Sequence, residues 1–126
     1  FFFGNDKVKC NVGVYANDRD GENYDELIEA GCNWYDVIAE RKYYLGSKKE
    51  LRFILRPIDG SGEYTKIIRL DPFPTRPDHT TYFSLKIIMD EPDVMSIFIK
   101  DLGFGQIFPA SQIVVEEKID LNRQGM

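Results

Sequence analysis

Two glycines one residue apart, Gly103 and Gly105, follow an apolar run and raise the question of a phosphate-binding loop. A dinucleotide fingerprint needs a third glycine at the entry of a helix, because the pyrophosphate binds at the helix N-terminus. Here Phe108 occupies the third position, Pro109 follows it, and the next periodic segment alternates like a strand. The pattern therefore disfavours nucleotide binding and predicts a chain turn.

The acidic run Asn17 to Glu26 is similar to part of a calcium loop. Its aspartates and glycine match the third, fifth and sixth positions of the helix-loop-helix pattern. The first position would be Ala16 and the last Leu27, so the first ligand and the bidentate acid are both lacking. We therefore expect a solvated acidic loop and no metal site.

Cysteine catalysis would need a histidine within hydrogen-bond reach of the thiol. Cys10 falls on the apolar face of a predicted strand, Cys32 has no recognisable local signature, and His79 is most simply a loop residue. Two cysteines and one histidine do not supply four zinc ligands, and they are too few for a disulfide framework. No carboxylate pair singles out an acid and a base. We expect no enzyme activity, no cofactor and a reducing cytoplasm.

The charge balance argues against nucleic acid as a partner, since 16 Lys and Arg face 21 Asp and Glu, for a net charge of -5. Six basic residues nevertheless gather around one predicted hairpin, and the pattern of that hairpin is typical of an ordinary solvated face. They are Arg41, Lys42, Lys48, Lys49, Arg52 and Arg56. The apolar runs are far shorter than the roughly 20 residues of a membrane span. A chain that begins at Phe1 predicts a piece of a longer protein.

Alternation of apolar and polar residues is the dominant pattern and indicates half-buried strands. It is clearest over Thr81 to Met89, and turn-forming residues separate the runs. The sequence predicts one all-β domain over residues 1–126, an antiparallel sandwich of about seven to eight strands. Lys7 to Val14 would be the first strand and Ile113 to Leu121 the last.

The predicted core consists of the inward-facing apolar residues of these strands, and Trp34 is expected at the edge of the sandwich. One segment, Asn23 to Ala30, leaves a helix open, because Asn23 would serve as its N-cap and Gly31 as its stop. The core residues are Val12, Leu51, Phe53, Leu55, Phe83, Leu85, Ile87, Ile97 and Ile99.

From Phe83 the sequence reads FSLKIIMDEPDVMSIFIKDLGFGQ. This stretch resembles, without a gap, the central hairpin of the peptide-binding β-sandwich of the seventy-kilodalton heat-shock chaperones of the DnaK type. That hairpin follows the pattern I-x-V-x-F-x-I-D-x-x-G-I-L-x-V-x-A-x-D-x-x-x-G. Upstream, Val12 to Val14, Leu27 to Gly31 and Leu70 to Pro77 resemble further segments of the family in the same order. The resemblance covers roughly Val8 to Gln106 and is nearest to a bacterial chaperone-like branch.

The resemblance implies a sandwich without a helical lid in this chain, and a groove that binds an extended polypeptide through its backbone. The longer acidic run Asn17 to Glu26 stands where the family has a short loop of small and apolar residues. Whether this run closes the groove is a question that the sequence does not decide. The groove-lining residues implied by the resemblance are Val14, Ala16, Tyr44, Leu51 and Phe53.

The leading hypothesis is therefore a non-catalytic polypeptide-binding or protein-interaction module of a chaperone-like protein. Its partners would be extended polypeptide segments or domains of the parent chain, and any ATPase would lie outside this chain. The alternative is a carbohydrate-binding or adhesion sandwich, because 7 Tyr, 9 Phe and Trp34 in a small all-β domain suit sugar stacking. A structural domain that docks on its parent chain is the third hypothesis.

Overall fold

The structure is a computed structural model that describes residues 7–18, 21–45, 49–58, 60, 62–74, 81–91, 94–103, 105–107 and 109–121. These residues form eight β-strands and one short 3-10 helix at Trp34–Asp36, with no α-helix in the described ranges. The strands are β1 (Cys10–Asp18), β2 (Gly21–Ile28), β3 (Ile38–Tyr44), β4 (Glu50–Pro57), β5 (Tyr64–Arg69), β6 (Tyr82–Glu91), β7 (Val94–Gly103) and β8 (Val114–Asp120).

The strands form two antiparallel layers that share one core. The strand order of the sheet is β5-β4-β1-β3-β6-β7-β8, with β2 paired to β1. Because the described β1–β3 pairing is limited to one residue pair, the sheet divides into the layers β5-β4-β1-β2 and β3-β6-β7-β8. We call β2, β3, β5 and β8 edge strands, since each pairs along its length with one described neighbour. One backbone pair, Asn17 with Tyr44, joins β1 to β3 and makes the whole a nearly closed, barrel-like sheet. The predicted all-β, antiparallel sandwich-like fold is confirmed, with the first and last strands beginning at Cys10 and Val114.

The core lies between the two layers, where alternate residues of each strand point inward. All nine residues predicted for the core are buried, none with more than 4% of its surface exposed. Leu70 and Phe73, in the connection from β5 to β6, are also buried and close one end of the core. Each fully buried aliphatic or aromatic side chain contributes about 1.5–3 kcal/mol, so the inward rows dominate the stability of the sandwich.

The helical interpretation that the sequence allowed for Asn23 to Ala30 is wrong, because Gly21–Ile28 forms strand β2. This strand pairs with β1 as a hairpin, with Tyr24 opposite Tyr15 and a register shift near Val12. The register shift in β2 leaves Ile28 in the core opposite Val12 and Tyr24 on the outer face opposite Tyr15, whereas a helix would place these two residues, four apart, on one face. The acidic run is therefore a pair of strand ends, although Arg19 and Asp20 lie outside the described residues.

The glycine pair predicted to form a turn does so. Gly103 and Gly105 have φ angles of 72° and 63°, in the left-handed region that favours glycine. The buried carboxylate of Asp101 holds this turn, accepting the N–H of Gly103 at 2.9 Å and that of Ser111 at 3.0 Å. The chain then enters strand β8, so the segment after the turn is not the helix that a phosphate loop requires.

Candidate functional site

The five residues expected to line a groove do not meet on an open surface. Val14, Ala16, Leu51 and Phe53 point into the core of the first layer, where Val14 pairs directly with Phe53. None of these four side chains has more than 4% of its surface exposed, and Tyr44 is half-buried. A ligand would reach the four only if the two layers separated near them.

Two bridges close the sandwich beside these residues. The backbone pair of Asn17 with Tyr44 closes the end. Along the opening between β2 and β3, the Tyr43 hydroxyl donates to Asp25 Oδ2 at 2.5 Å, and Arg41 Nε lies 3.5 Å from the same oxygen. Burial and the hydrogen bond to Asp25 raise the pKa of Tyr43. The β2–β3 opening is therefore bridged by a hydrogen-bonded ion pair.

The outer face of the first layer carries a compact group of aromatic and arginine side chains. The rings of Tyr15 and Tyr24 meet edge to face with centroids 5.3 Å apart. The Arg52 guanidinium lies 4.8 Å from the Tyr15 centroid, and that of Arg56 lies 5.1 Å from the Tyr24 centroid. Ile54, on the same face, is 4% exposed although it is outside the core. The two arginines are therefore on the solvated face predicted for them, but they also pack on tyrosines.

This packing bears on the sugar-stacking alternative. The planes of Tyr15 and Tyr24 meet at 61°, and those of Tyr44 and Tyr82 on the second layer meet at 45°. A sugar stacks on rings that share a plane and leave a face open. Neither pair offers a flat platform, and arginines already cover the first pair.

The remaining chemistry-bearing residues are dispersed. Cys10 is buried on the inner face and Cys32 is partly buried against the core, and neither forms a disulfide. His79 and Lys48 lie outside the described residues. Within the described ranges, no three His, Cys, Asp or Glu side chains are grouped closely enough to bind a metal ion. No helix in the same part of the chain has the length and apolar character needed to cross a bilayer.

A shallow depression of about 480 Å³ lies on β3 and β6. Its walls are mostly long charged side chains that stand in solvent, and Lys86 Nζ there lies 3.9 Å from Glu40 Oε1. None of the polar residues that line it is buried. Its lining residues are Glu40, Arg41, Lys42, Ser84, Leu85 and Lys86.

Each of the four edge strands carries one charged residue that points inward, opposite a buried apolar residue of its neighbour. Such charges discourage unwanted pairing of sheet edges. Where β2 and β3 approach each other, their inward charges Asp25 and Arg41 form an ion pair. On the other side of the sandwich, no carboxylate of the described residues lies within 4 Å of the ammonium of Lys66. The inward charges are Asp25 on β2, Arg41 on β3, Lys66 on β5 and Glu117 on β8.

Strand β5 offers the least charged of these edges. It pairs with β4 and with no other described strand, and its sequence YTKIIR contains no acid. The Leu70 N–H donates to the Lys49 carbonyl at 2.8 Å. Because neighbouring residues of an antiparallel strand direct their peptide groups to opposite sides, those of Thr65 and Ile67 face away from β4. Ile67 is 47% exposed on the outer face.

A sequence-family model described as a domain of unknown function (DUF8552) matches residues 7–121. The chain belongs to this family. The matched residues of DUF8552 include the eight described strands, so the bridged β2–β3 side and the edge of β5 that no other described strand pairs both lie within the family domain. No curated protein and no solved structure matches the chain.

Proposed function

We propose that this domain is a non-catalytic polypeptide-binding module of a cytoplasmic, chaperone-like protein. It takes up an extended segment by strand addition at the free edge of β5. The ordered resemblance to the chaperone sandwich supports the class of ligand, and the open backbone of β5 supports the place and the mode of binding.

The free edge of β5 is the observation that carries the proposal. An added strand gains backbone hydrogen bonds to Thr65 and Ile67, each worth about 0.5–1.5 kcal/mol net. It also covers the exposed side chain of Ile67 and the half-buried ring of Tyr64. Binding in the groove implied by the resemblance would instead require the buried residues Val14 and Phe53 to lose their contacts. Edge addition leaves the core intact.

A proline substitution tests this proposal directly. Proline lacks an N–H, and it is tolerated on an edge strand where that N–H faces solvent. Thr65→Pro therefore removes one donor from the free edge and leaves the β4–β5 pairing in place. Fluorescence anisotropy with extended heptapeptides rich in β-branched residues should show that affinity falls by about two- to tenfold.

The matched control is Glu116→Pro on β8. The Asp101 N–H donates to the Ile113 carbonyl, so the N–H of Glu116 also faces away from its neighbouring strand. This variant should bind peptides as the wild type does. Equal affinity of Thr65→Pro and wild type, with both folded by circular dichroism, would refute binding at β5.

A segment of the parent chain or a second copy of the domain could occupy the same edge. Sedimentation velocity over a concentration series detects a second copy, and Thr65→Pro would then lower the dimer fraction. If the domain dimerises and no heptapeptide competes with the dimer, the proposal is refuted, and the edge of β5 pairs with a second copy of the domain instead. Peptide binding by a monomer supports it.

A further inference from the structure

We infer that the segment bound at β5 is acidic at its centre, with a Glu or Asp that meets Lys66. This inference rests on the proposed strand addition and names the class of peptide that the edge selects. It follows from the order in which apolar and charged side chains alternate along β5.

The two faces of β5 differ in what they offer to an added strand. Tyr64, Lys66 and Ile68 point inward, because their cross-strand partners on β4 are the buried residues Leu55, Phe53 and Leu51. Thr65 and Ile67 point outward. Residues directly opposite each other on paired strands have their side chains on the same face. An added strand therefore places every second side chain beside the row of Tyr64, Lys66 and Ile68.

Lys66 differs from the other cationic side chains near this edge, because no described carboxylate forms an ion pair with it. Arg69, at the end of β5, already lies 3.1 Å from Glu50 and 3.2 Å from Asp71. The guanidinium of Arg56 is 2.8 Å from Glu63. The ammonium of Lys66 has no described carboxylate within 4 Å, and the side chain is exposed between two apolar neighbours. A strand that covers it without a partner would desolvate the charge at a cost, whereas a carboxylate would offset that cost.

These positions define a short pattern. In the antiparallel orientation, an added strand meets Ile68, Ile67, Lys66, Thr65 and Tyr64 in turn. The inward places opposite Ile68 and Tyr64 favour apolar residues, and the outward place opposite Ile67 favours a β-branched residue. The expected pattern is apolar, β-branched, acidic, polar, apolar, as in Val-Ile-Glu-Thr-Val.

The net charge of the domain makes this preference diagnostic. At -5, the domain as a whole attracts basic peptides over acidic ones. Glu117, the inward charge on β8, acts in the same direction. A preference for acidic peptides would therefore come from the local charge of Lys66 and not from the overall field.

A charge-swap cycle tests the inference, using Thr-Val-Ile-Glu-Thr-Val-Thr and the same peptide with Lys in place of Glu. The wild type should bind the Glu peptide about fivefold more tightly, the upper range for an exposed ion pair. Lys66→Glu should reverse the order. The preference should shrink as salt rises to about 1 M, where charges are screened within about 3 Å.

Lys100→Glu is the control, since it makes the same change in net charge on the exposed face of β7, far from β5 in the sheet order. It should keep the wild-type order of the two peptides. If Lys66→Glu leaves that order unchanged while Thr65→Pro weakens the binding of both peptides, the acidic preference is refuted and edge addition stands. If Thr65→Pro changes neither affinity, the proposed function itself fails.

Discussion

Replacing Gly13 by alanine tests the packing on the outer face of the first layer. A Cβ on Gly13 would lie 2.2 Å from the Tyr24 hydroxyl oxygen and 2.3 Å from Cζ. To reach an ordinary separation of 3.4 Å, the ring must retreat by 3.4 − 2.2 = 1.2 Å. That movement disturbs the contacts of Tyr24 with Tyr15 and Arg56.

The magnitude follows from these contacts. The tyrosine pair is worth about 0.5–1.5 kcal/mol, and an exposed arginine on a ring about 0.5–1 kcal/mol. Alanine gains about 0.5–1 kcal/mol over glycine within a strand. Gly13→Ala should therefore lower the free energy of unfolding by about 1 kcal/mol, against the direction that strand propensity predicts.

A double-mutant cycle isolates the cause. In the Tyr24→Ala background the obstacle is gone, so Gly13→Ala should stabilise the domain by about 0.5–1 kcal/mol. In the Tyr24→Phe background the ring remains, and the substitution should still destabilise. Urea unfolding followed by the fluorescence of Trp34 measures Gly13→Ala in the wild-type background and in both Tyr24 backgrounds. If Gly13→Ala stabilises the wild type, or has the same effect with and without the ring, the reasoning is refuted.

Three further predictions concern titratable groups. Asp101→Asn replaces one of the two carboxylate oxygens that accept backbone N–H groups in a buried turn. The free energy of unfolding in urea should fall by about 1–3 kcal/mol, and an unchanged urea midpoint would contradict this. The pKa of Tyr43 is raised in the fold by burial and by Asp25, so this residue's contribution to stability is lost as pH rises above the ordinary value of 10.0; Tyr43→Phe should flatten that alkaline fall in urea unfolding. Hydrogen bonds from Ser96 and Lys118 lower the pKa of Asp90, so its contribution is lost as pH falls below 3.8. Asp90→Asn should weaken the acid dependence of the melting temperature, and an identical acid limb would count against the interaction.

The fold class could be predicted because alternation is a local pattern. Phe83, Leu85 and Ile87 occupy every second position, and such a row has one face to bury. Strand β2 was ambiguous because its segment NYDELIEA combines helix-favouring residues with a cap and a stop. What decides its conformation is the pairing of Tyr24 with Tyr15, a contact that local propensity does not contain.

The candidate site was harder to predict. Alternation correctly assigned Val14 and Phe53 to the inner face of their strands, but it does not tell whether that face is open or covered. The covering comes from the second layer and from the bridge of Tyr43 to Asp25, and no local pattern encodes either one. The open edge at β5 likewise depends on the order of strands in the sheet, which the sequence around Ile67 does not contain.

The limited backbone pairing between the two layers, one residue pair among the described residues, bears on how the chain folds. Strands β6, β7 and β8 follow one another as neighbours, so their pairing closes only short loops. The first layer must bring β1 beside β4 across the whole of β2 and β3, a slower search. Because the described backbone pairing between the layers is limited to Asn17 with Tyr44, we expect the three-strand meander to form first. It would then serve as the surface on which the first layer assembles.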